Sequence, residues 1–491
     1  MWAKILGLGW VLAAFFFSQS LFAYQRVELH PDDLRTIQDP DREAEFRLFL
    51  IDQAQDSIDI VTFDQRADDE VGKPLLLALR RAAERNVRVR FIRGGWVSKL
   101  YSQYYAEPSL FDPVMGFLNS PLPHRKIEYQ FFGGLSLVMR GWSGFTGIHE
   151  KLLVVDKKIS LVTGRGQGSV YSDWLDSCYV FKGRWVAESV AKFKNLWDTV
   201  VLINGSGESS TVARNNRSHS APAILTEPDS VGKEPSDQKL EKLKRWAMRP
   251  AQDPATVPAE ERLVGGILHH DLIAQLQSKC SMFWFYSYSA CAEEIKDPVV
   301  SELLQLISQA EEIKFYTLGI ILHDQVRAAL LARLQEKSNG GRDFRLTILT
   351  NGKEAHRVVV PVPMAWWAGL RDTNALLQAG ARIFAFKEIQ GSRYEYLHRK
   401  SFMAIFPDGK KVLVFGSHNF NVASTYVNDE MSFIVEGGKV IDQELRRFER
   451  SLQHADELDP ATIQAEENAN TLIYGFDWLW RAALNLSEGL I

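Results

Sequence analysis

Two histidine–lysine pairs carry the chemistry most plainly offered by this sequence. The first lies in Ile148-His149-Glu150-Lys151. It is followed by the apolar run Leu152-Leu153-Val154-Val155, then Asp156, a Lys157-Lys158 turn, and Thr163-Gly164-Arg165-Gly166-Gln167-Gly168-Ser169. The second lies in Leu397-His398-Arg399-Lys400. It is followed by Ser401-Phe402-Met403-Ala404-Ile405, the turn Pro407-Asp408-Gly409-Lys410, and Gly416-Ser417-His418-Asn419. In a strand, residues two apart share a face. Each histidine is therefore expected to point the same way as its lysine, at the start of a hairpin. The glycine-bearing turns behind them let backbone amides approach an anion. One His-x-Lys on a strand is common and means nothing. Two of them at equivalent places, each followed by such a turn, do not arise easily by chance.

A set of this kind is suited to phosphodiester chemistry. The non-bridging oxygens of a phosphoryl centre are negative. Lys151 and Lys400, with Ser417, Asn419, Ser169 and the turn at Gly164, can hold them and stabilise the developing charge. One imidazole can attack phosphorus and form a covalent intermediate. The other can protonate the leaving alcohol and then deprotonate the incoming one. The two imidazoles must sit in different protonation states, so each needs its own orienting partner. No metal or cofactor is required.

The elements that must position these residues form a long internal repeat. From Glu43 to Arg93 the pattern predicts a helix (Phe46, Leu50, Ala54), a strand Ser57–Thr62, a helix Pro74–Glu84 and a strand Val87–Ile92. From Val299 the same order returns: a helix, a strand Ile313–Thr317, a helix Gln325–Gln335 and a strand Phe344–Leu349. The offset is 255 positions from Thr62 to Thr317 and 249 from His149 to His398. This order predicts an α/β protein of two similar lobes, each a mixed sheet flanked by helices. Two such lobes in one chain are expected to pack with pseudo-two-fold symmetry.

The remaining chain divides around these lobes. Residues 1–23 carry one lysine and then an uncharged apolar run, which reads as a secretory signal cleaved near Ala23 or as a membrane anchor. The first lobe is expected over 24–203, a polar linker or insertion over 204–298, the second lobe over 299–455, and an aromatic-rich helical extension over 456–491. The linker contains one helical patch, Gln238–Met248. Trp366-Trp367 and the terminal Tyr474, Phe476, Trp478 and Trp480 either face lipid or pack on the core. The body is expected to be exported, periplasmic or secreted, and near a membrane surface. Hydrophobic residues make up 46% of the 491 residues. A full-size core is therefore available without disulfides or metals. The net charge of −4 argues against a dedicated nucleic-acid binder. Of the three cysteines, Cys178, Cys280 and Cys291, none has zinc-site spacing, and the last two are close enough in sequence to bridge.

These motifs resemble the phospholipase D superfamily, whose pattern is His-x-Lys, four residues, Asp, six residues, then Gly-Gly/Ser-x-Asn. The likeness runs from Glu43 to Ile203 and from Val299 to Arg450, and is similar in layout to bacterial cardiolipin synthases. It implies one active site at the lobe interface, a phosphohistidine intermediate and no metal. It also implies His149 as nucleophile, His398 as acid/base, Asp156 as the motif acid, and Asp176 and Glu430 as the carboxylates that orient the histidines. Two departures stand out. Gly166 replaces the family asparagine in the first motif, with Gln167 one step on. In the second motif, seven residues separate Lys400 from Asp408. Four extra hairpin residues, two per strand, would keep side-chain faces unchanged. The resemblance implies a phospholipid substrate and hydrolysis or phosphatidyl transfer, and the protein is expected to be a monomer. A metal-independent exported nuclease and a non-catalytic phosphate-binding relative are the rival readings.

Overall fold

The structure, a computed structural model, describes residues 26–63, 65–66, 69–94, 127–132, 147–204, 237–269, 297–355, 364–387, 394–421, 424–425 and 428–469. The expected leader, Cys280, Cys291 and the terminal aromatic residues lie outside the described residues. The chain opens with β1 (Val27–Leu29), β2 (Leu34–Ile37), α1 (Pro40–Gln53), β3 (Ser57–Thr62), α2 (Gly72–Glu84), β4 (Arg88–Gly94) and β5 (Glu128–Phe132). Next come β6 (Gly147–Ile148), β7 (Leu152–Val155), β8 (Ile159–Thr163), β9 (Trp174–Leu175), β10 (Cys178–Lys182) and α3 (Arg184–Asn204). The second half begins with α4 (Gln238–Ala247), β11 (Leu263–His269), α5 (Pro298–Gln309), β12 (Glu312–Tyr316), α6 (Asp324–Ser338) and β13 (Arg345–Asn351). It continues through α7 (Met364–Gln378), β14 (Arg382–Phe386), β15 (Tyr396–Leu397), β16 (Ser401–Ile405) and β17 (Lys411–Gly416). It closes with β18 (Asn428–Asp429), β19 (Met431–Glu436), α8 (Gly438–Leu452), β20 (Ala455–Glu457) and α9 (Pro460–Ala469).

The repeat is real at the level of topology. The first sheet runs β2-β10-β8-β7-β3-β4-β5, and the second contains β11-β19-β17-β16-β12-β13-β14 in the corresponding order. In both, two parallel neighbours follow the central strand on one side and an antiparallel hairpin lies on the other. The leading helices begin alike. Asp39 precedes Pro40 and accepts from the Arg42 amide, and Asp297 precedes Pro298 and accepts from the amides of Val299 and Val300. An Asp cap before a Pro at the first helical position starts a helix efficiently. The central strand β3 is buried along its whole length, as a strand covered on both faces must be.

The sheets pack face to face through aromatic rings. Tyr179 of β10 stacks on Phe415 of β17 at 3.8 Å between centroids, and Phe181 meets Phe433 at 4.8 Å. Trp185, fully buried at the start of α3, closes the same layer.

The segment expected to be a linker, 204–298, differs from that expectation in its described part. Helix α4 packs on α1 of the first lobe, and β11 is an inner strand of the second sheet. Polar composition concealed β11 because its apolar run, Leu263-Val264-Gly265-Gly266-Ile267-Leu268, is short and broken by glycines. The second sheet also takes β1 from the N-terminal side and β20 from the expected C-terminal extension. Helix α9 of that extension packs on α7. There the Trp366 indole donates to Glu466 at 3.0 Å, so this tryptophan fills a helix interface. No described helix is long and apolar enough to cross a membrane.

Candidate active site

Each histidine is seated by backbone from the opposite lobe. Strand β6 pairs in parallel with β18, and the His149 amide donates to the Asp429 carbonyl at 3.1 Å. Strand β15 pairs in parallel with β9, and the His398 amide donates to the Leu175 carbonyl at 3.0 Å. The residue after each acceptor is the acid that holds the ring. Glu430 takes His149 Nδ1 at 3.0 and 3.1 Å through its two oxygens, and Asp176 takes His398 Nδ1 at 2.7 Å. The pairs are therefore crossed: each lobe supplies the carboxylate for the other lobe's histidine. An ionised carboxylate only accepts, so Nδ1 carries the proton and Nε2 keeps a lone pair.

The lysines complete a single cluster. Lys151 Nζ donates to the His149 carbonyl at 2.6 Å, and Lys400 Nζ donates to the His398 carbonyl at 2.8 Å while lying 2.9 Å from His398 Nε2. Residues 149–151 and 398–400 connect strands rather than lying within them. The lysines fold back over their histidines' backbone instead of projecting from a strand face. The His149 ring meets Phe63 edge-on at 5.2 Å, and Lys151 Nζ sits 4.9 Å from the centre of the Phe63 ring. On the other side Trp174 lies 4.2 Å from the His398 ring and meets Tyr171 edge-on.

All six groups are buried, and burial sets their protonation. Burial pulls His149 below its ordinary value, and Lys151 and Lys400 add to this against Glu430. Burial pushes His398 well below its ordinary value, with Lys400 and Lys151 adding to it against Asp176. Each histidine thus feels the lysine of both lobes, as one shared site requires. Burial would raise Asp176, but its bond to His398 and the nearby cations bring it down to about 2. Burial likewise opposes ionisation of Glu430, which His149 brings down to about 2. Lys400 is lowered to about 8 by burial, against the pull of Asp176 and Glu430. The shifts favour two neutral imidazoles and two carboxylates, with Lys400 an ammonium below about pH 8. Among the described residues, His149 Nε2 and Asn419 Oδ1 are buried without a hydrogen-bond partner.

The structure brings together His149, Lys151, His398, Lys400, Asp176 and Glu430, with Ser417 and Asn419 beside Glu430. The Asn419 amide donates to Ser424 Oγ at 3.0 Å, and Ser424 donates to Glu430 at 2.7 Å. Ser417 Oγ donates to the Met431 carbonyl at 3.3 Å, directly after Glu430.

Three expected residues have other places. Asp156 is not at the site. It sits at the far end of β7 with φ +52° and accepts from the amides of Gln55, Asp56 and Ser57 at 2.7–3.1 Å. Phe63 and His149 meet beyond the opposite end of β3, so Asp156 locks the turn into the central strand. Gly164 lies under Asp176: a Cβ there would meet Asp176 Oδ2 at 2.0 Å. Its lack of a side chain gives room to the carboxylate rather than directly to a phosphate. Ser169 gives its amide and hydroxyl to Asp69 at 2.7 and 3.0 Å.

The departures from the motif have physical reasons. A Cβ on Gly166 would meet the Tyr171 ring at 2.3 Å, so an aromatic ring fills the space an asparagine would use. The two hairpins keep register at the lysines. The Thr163 amide donates to the Lys151 carbonyl, and the Ser401–Phe415 pair places Gly416 opposite Lys400. Strands β16 and β17 pair over five positions against four in β7 and β8, and Phe406–Lys410 adds a sixth, so each strand is two residues longer. Asp408 therefore lies in an exposed turn, where it accepts from the Lys410 amide.

Sequence reasoning passed over Phe63, Trp174 and Arg165 as site residues. Arg165 donates to Glu43 at 2.5 Å and to the carbonyls of Gln38, Trp174 and Asp176 at 2.7–3.0 Å, clamping the segment that carries Asp176. A buried arginine inside a glycine-rich turn was the available signal.

Residues 303–452 match the family described as "Cardiolipin synthase, PLD-like domain". No curated protein matches the chain. Among solved structures, the phosphatidylserine synthase of Haemophilus influenzae Rd KW20 is similar over 94% of this chain and 98% of its own. The identity is 13% and the TM-score 0.59. Nuc, a phospholipase D family member from Salmonella typhimurium, aligns with 32% of this chain and 89% of its own at 14% identity. Its TM-score of 0.25 carries no weight here. The family match lies in the second lobe, and the likeness of fold to the synthase extends over both. The second lobe thus matches a phospholipase D-like family, and the chain as a whole shares the fold of the synthase.

Proposed function

We propose that this protein is a phospholipase D-type phosphodiesterase or phosphatidyltransferase acting on glycerophospholipids through a phosphohistidine intermediate. The crossed pair of carboxylate-held histidines, with His149 Nε2 left without a partner, carries this reading. His149 Nε2 attacks phosphorus, the N–P bond forms, and the P–O bond to the leaving alcohol breaks. His398 gives that alcohol its proton. Water or a second alcohol then loses a proton to His398 and attacks phosphorus, and the N–P bond breaks. Lys151, Lys400 and Asn419 hold the non-bridging oxygens. A phosphodiester anion between the lysines offsets the positive field that depresses His398, and so lets His398 carry the proton it must donate. The apolar run that follows Lys4 supports a catalytic body outside the cytoplasm, at a membrane surface.

The test is incubation of the purified protein with phosphatidylglycerol and phosphatidylethanolamine vesicles in EDTA, with lipid products identified by mass spectrometry. A DNA digest runs in parallel. Phosphatidic acid or cardiolipin is the expected product. Cleavage of DNA with no change in the lipids would overturn the lipid assignment.

A further inference from the structure

The residue between histidine and lysine in each motif points away from the substrate side and into the protein. In the second motif Arg399 is fully buried. It donates to the Tyr316 hydroxyl at 3.1 Å and lies 3.9 Å from Glu444 of α8. In the first motif the corresponding residue is Glu150, and the charges are reversed. Lys192, from the middle of α3, reaches Glu150 at 3.6 Å and Asp429 at 2.8 Å. All three groups are at most 4% exposed. Glu150 follows His149 in the chain. Asp429 precedes Glu430, and its carbonyl receives the His149 amide. One ammonium therefore bonds to the segment that carries Glu430 and lies within ion-pair distance of the segment that carries His149.

We infer that Lys192 is a positioning residue for the His149–Glu430 pair, holding the two lobes in register at β6 and β18 and leaving Glu430 as the carboxylate that sets the state of His149. This rests on the reading of His149 as a working group of the site.

The charge balance gives the reason. Glu150, Asp429 and Glu430 are three acids in one buried patch. Burial pushes Glu150 well above the ordinary carboxylate range, with Asp429 and Glu430 adding to it against Lys192. Burial alone would lower Lys192, but Asp429 and Glu150 outweigh it and hold the lysine above its ordinary value. Burial and its acidic neighbours thus disfavour charge on Glu150, Lys192 lies against Asp429, and Glu430 keeps its charge. The other groups facing His149 are Lys151 and Lys400, and His418 faces Glu430. Removing Lys192 leaves a buried, uncompensated carboxylate beside the His149 backbone. A buried pair broken at one partner costs far more than a pair removed whole.

The test uses the full chain labelled with 13C-histidine. Imidazole titrations are followed by NMR, and the His149 signal is assigned by its loss in His149→Gln. In Lys192→Met the His149 midpoint moves up by about half a pH unit or more, since the added negative field favours imidazolium. In Asp429→Asn it moves down. In the double variant the two effects cancel, and the titration returns to the wild-type position. On a chromogenic phosphodiester, Lys192→Met loses about 10- to 100-fold in kcat with KM changed by less than about twofold. Lys192→Arg retains most of the rate. Should Lys192→Met not fold, the downward shift in Asp429→Asn and its reversal in the double variant carry the test. Unchanged His149 titrations in the single variants, or a shift that the double variant does not reverse, would overturn the inference. A wild-type protein inactive on every phosphodiester would instead sink the proposed function, and the titrations would still decide the role of Lys192.

Discussion

A neutral imidazole tied at Nδ1 to a carboxylate and bare at Nε2 has its tautomer fixed and its lone pair open to the site. His149 has this arrangement, and His398 differs only in having Lys400 against its Nε2. The lysine sets a pH limit. Lys400 is lowered to about 8 by burial, so its ammonium is present below that pH and lost above it. A phosphate held by this ammonium is held progressively less well as pH rises. Turnover of a phosphodiester is therefore expected to fall along a one-proton limb centred near pH 8. In Lys400→Arg, which stays charged, the residual activity should show no such limb. A wild-type rate constant to about pH 10, the ordinary lysine range, would contradict this assignment. At this scale the sequence was legible for the histidines and lysines, because spacing alone identified them. It misplaced Asp156, whose motif spacing is intact. Nothing in a run of residues tells that a strand of this length carries the acid away from the histidine.

At the scale of elements, the positions of Asp176 and Glu430 depend on backbone that comes very close. Gly164 has no side chain because Asp176 occupies the space: an added methyl would lie 2.0 Å from its carboxylate. Gly164→Ala should displace Asp176 from His398. The expected cost is about 100-fold in turnover and about 1–3 kcal/mol in stability. Gly147→Ala, whose methyl would lie 3.6 Å from Asn428, should be tolerated by comparison. Equal activity in the two variants, measured with urea midpoints alongside, would refute the packing argument. The repeated helices and strands were legible from periodicity: Ser57–Thr62 was placed residue for residue, and the others to within a few positions. The two-residue bridges β6, β9, β15 and β18 were not, since a two-residue strand has no period to detect.

At the scale of the molecule, the lobes are halves of one centre. The carboxylate for each histidine comes from across the interface, and so does the backbone carbonyl that seats it. The repeat made two lobes legible, and pseudo-two-fold packing followed from it. The exchange of acids was not legible, because Asp176 and His398 are 222 positions apart and meet only when the sheets face each other through Tyr179, Phe181, Phe415 and Phe433. Nor was the dispersal of the second sheet, which draws β1, β11 and β20 from segments that composition assigned elsewhere.

The most direct measurement compares turnover of one phospholipid by the wild-type protein, His149→Ala, His398→Ala and a mixture of the two variants, all in EDTA. A single centre built from both lobes predicts that each variant loses at least about 1000-fold and that mixing folded variants restores nothing. Activity surviving in either variant at more than about a tenth of wild type would contradict the shared two-histidine site.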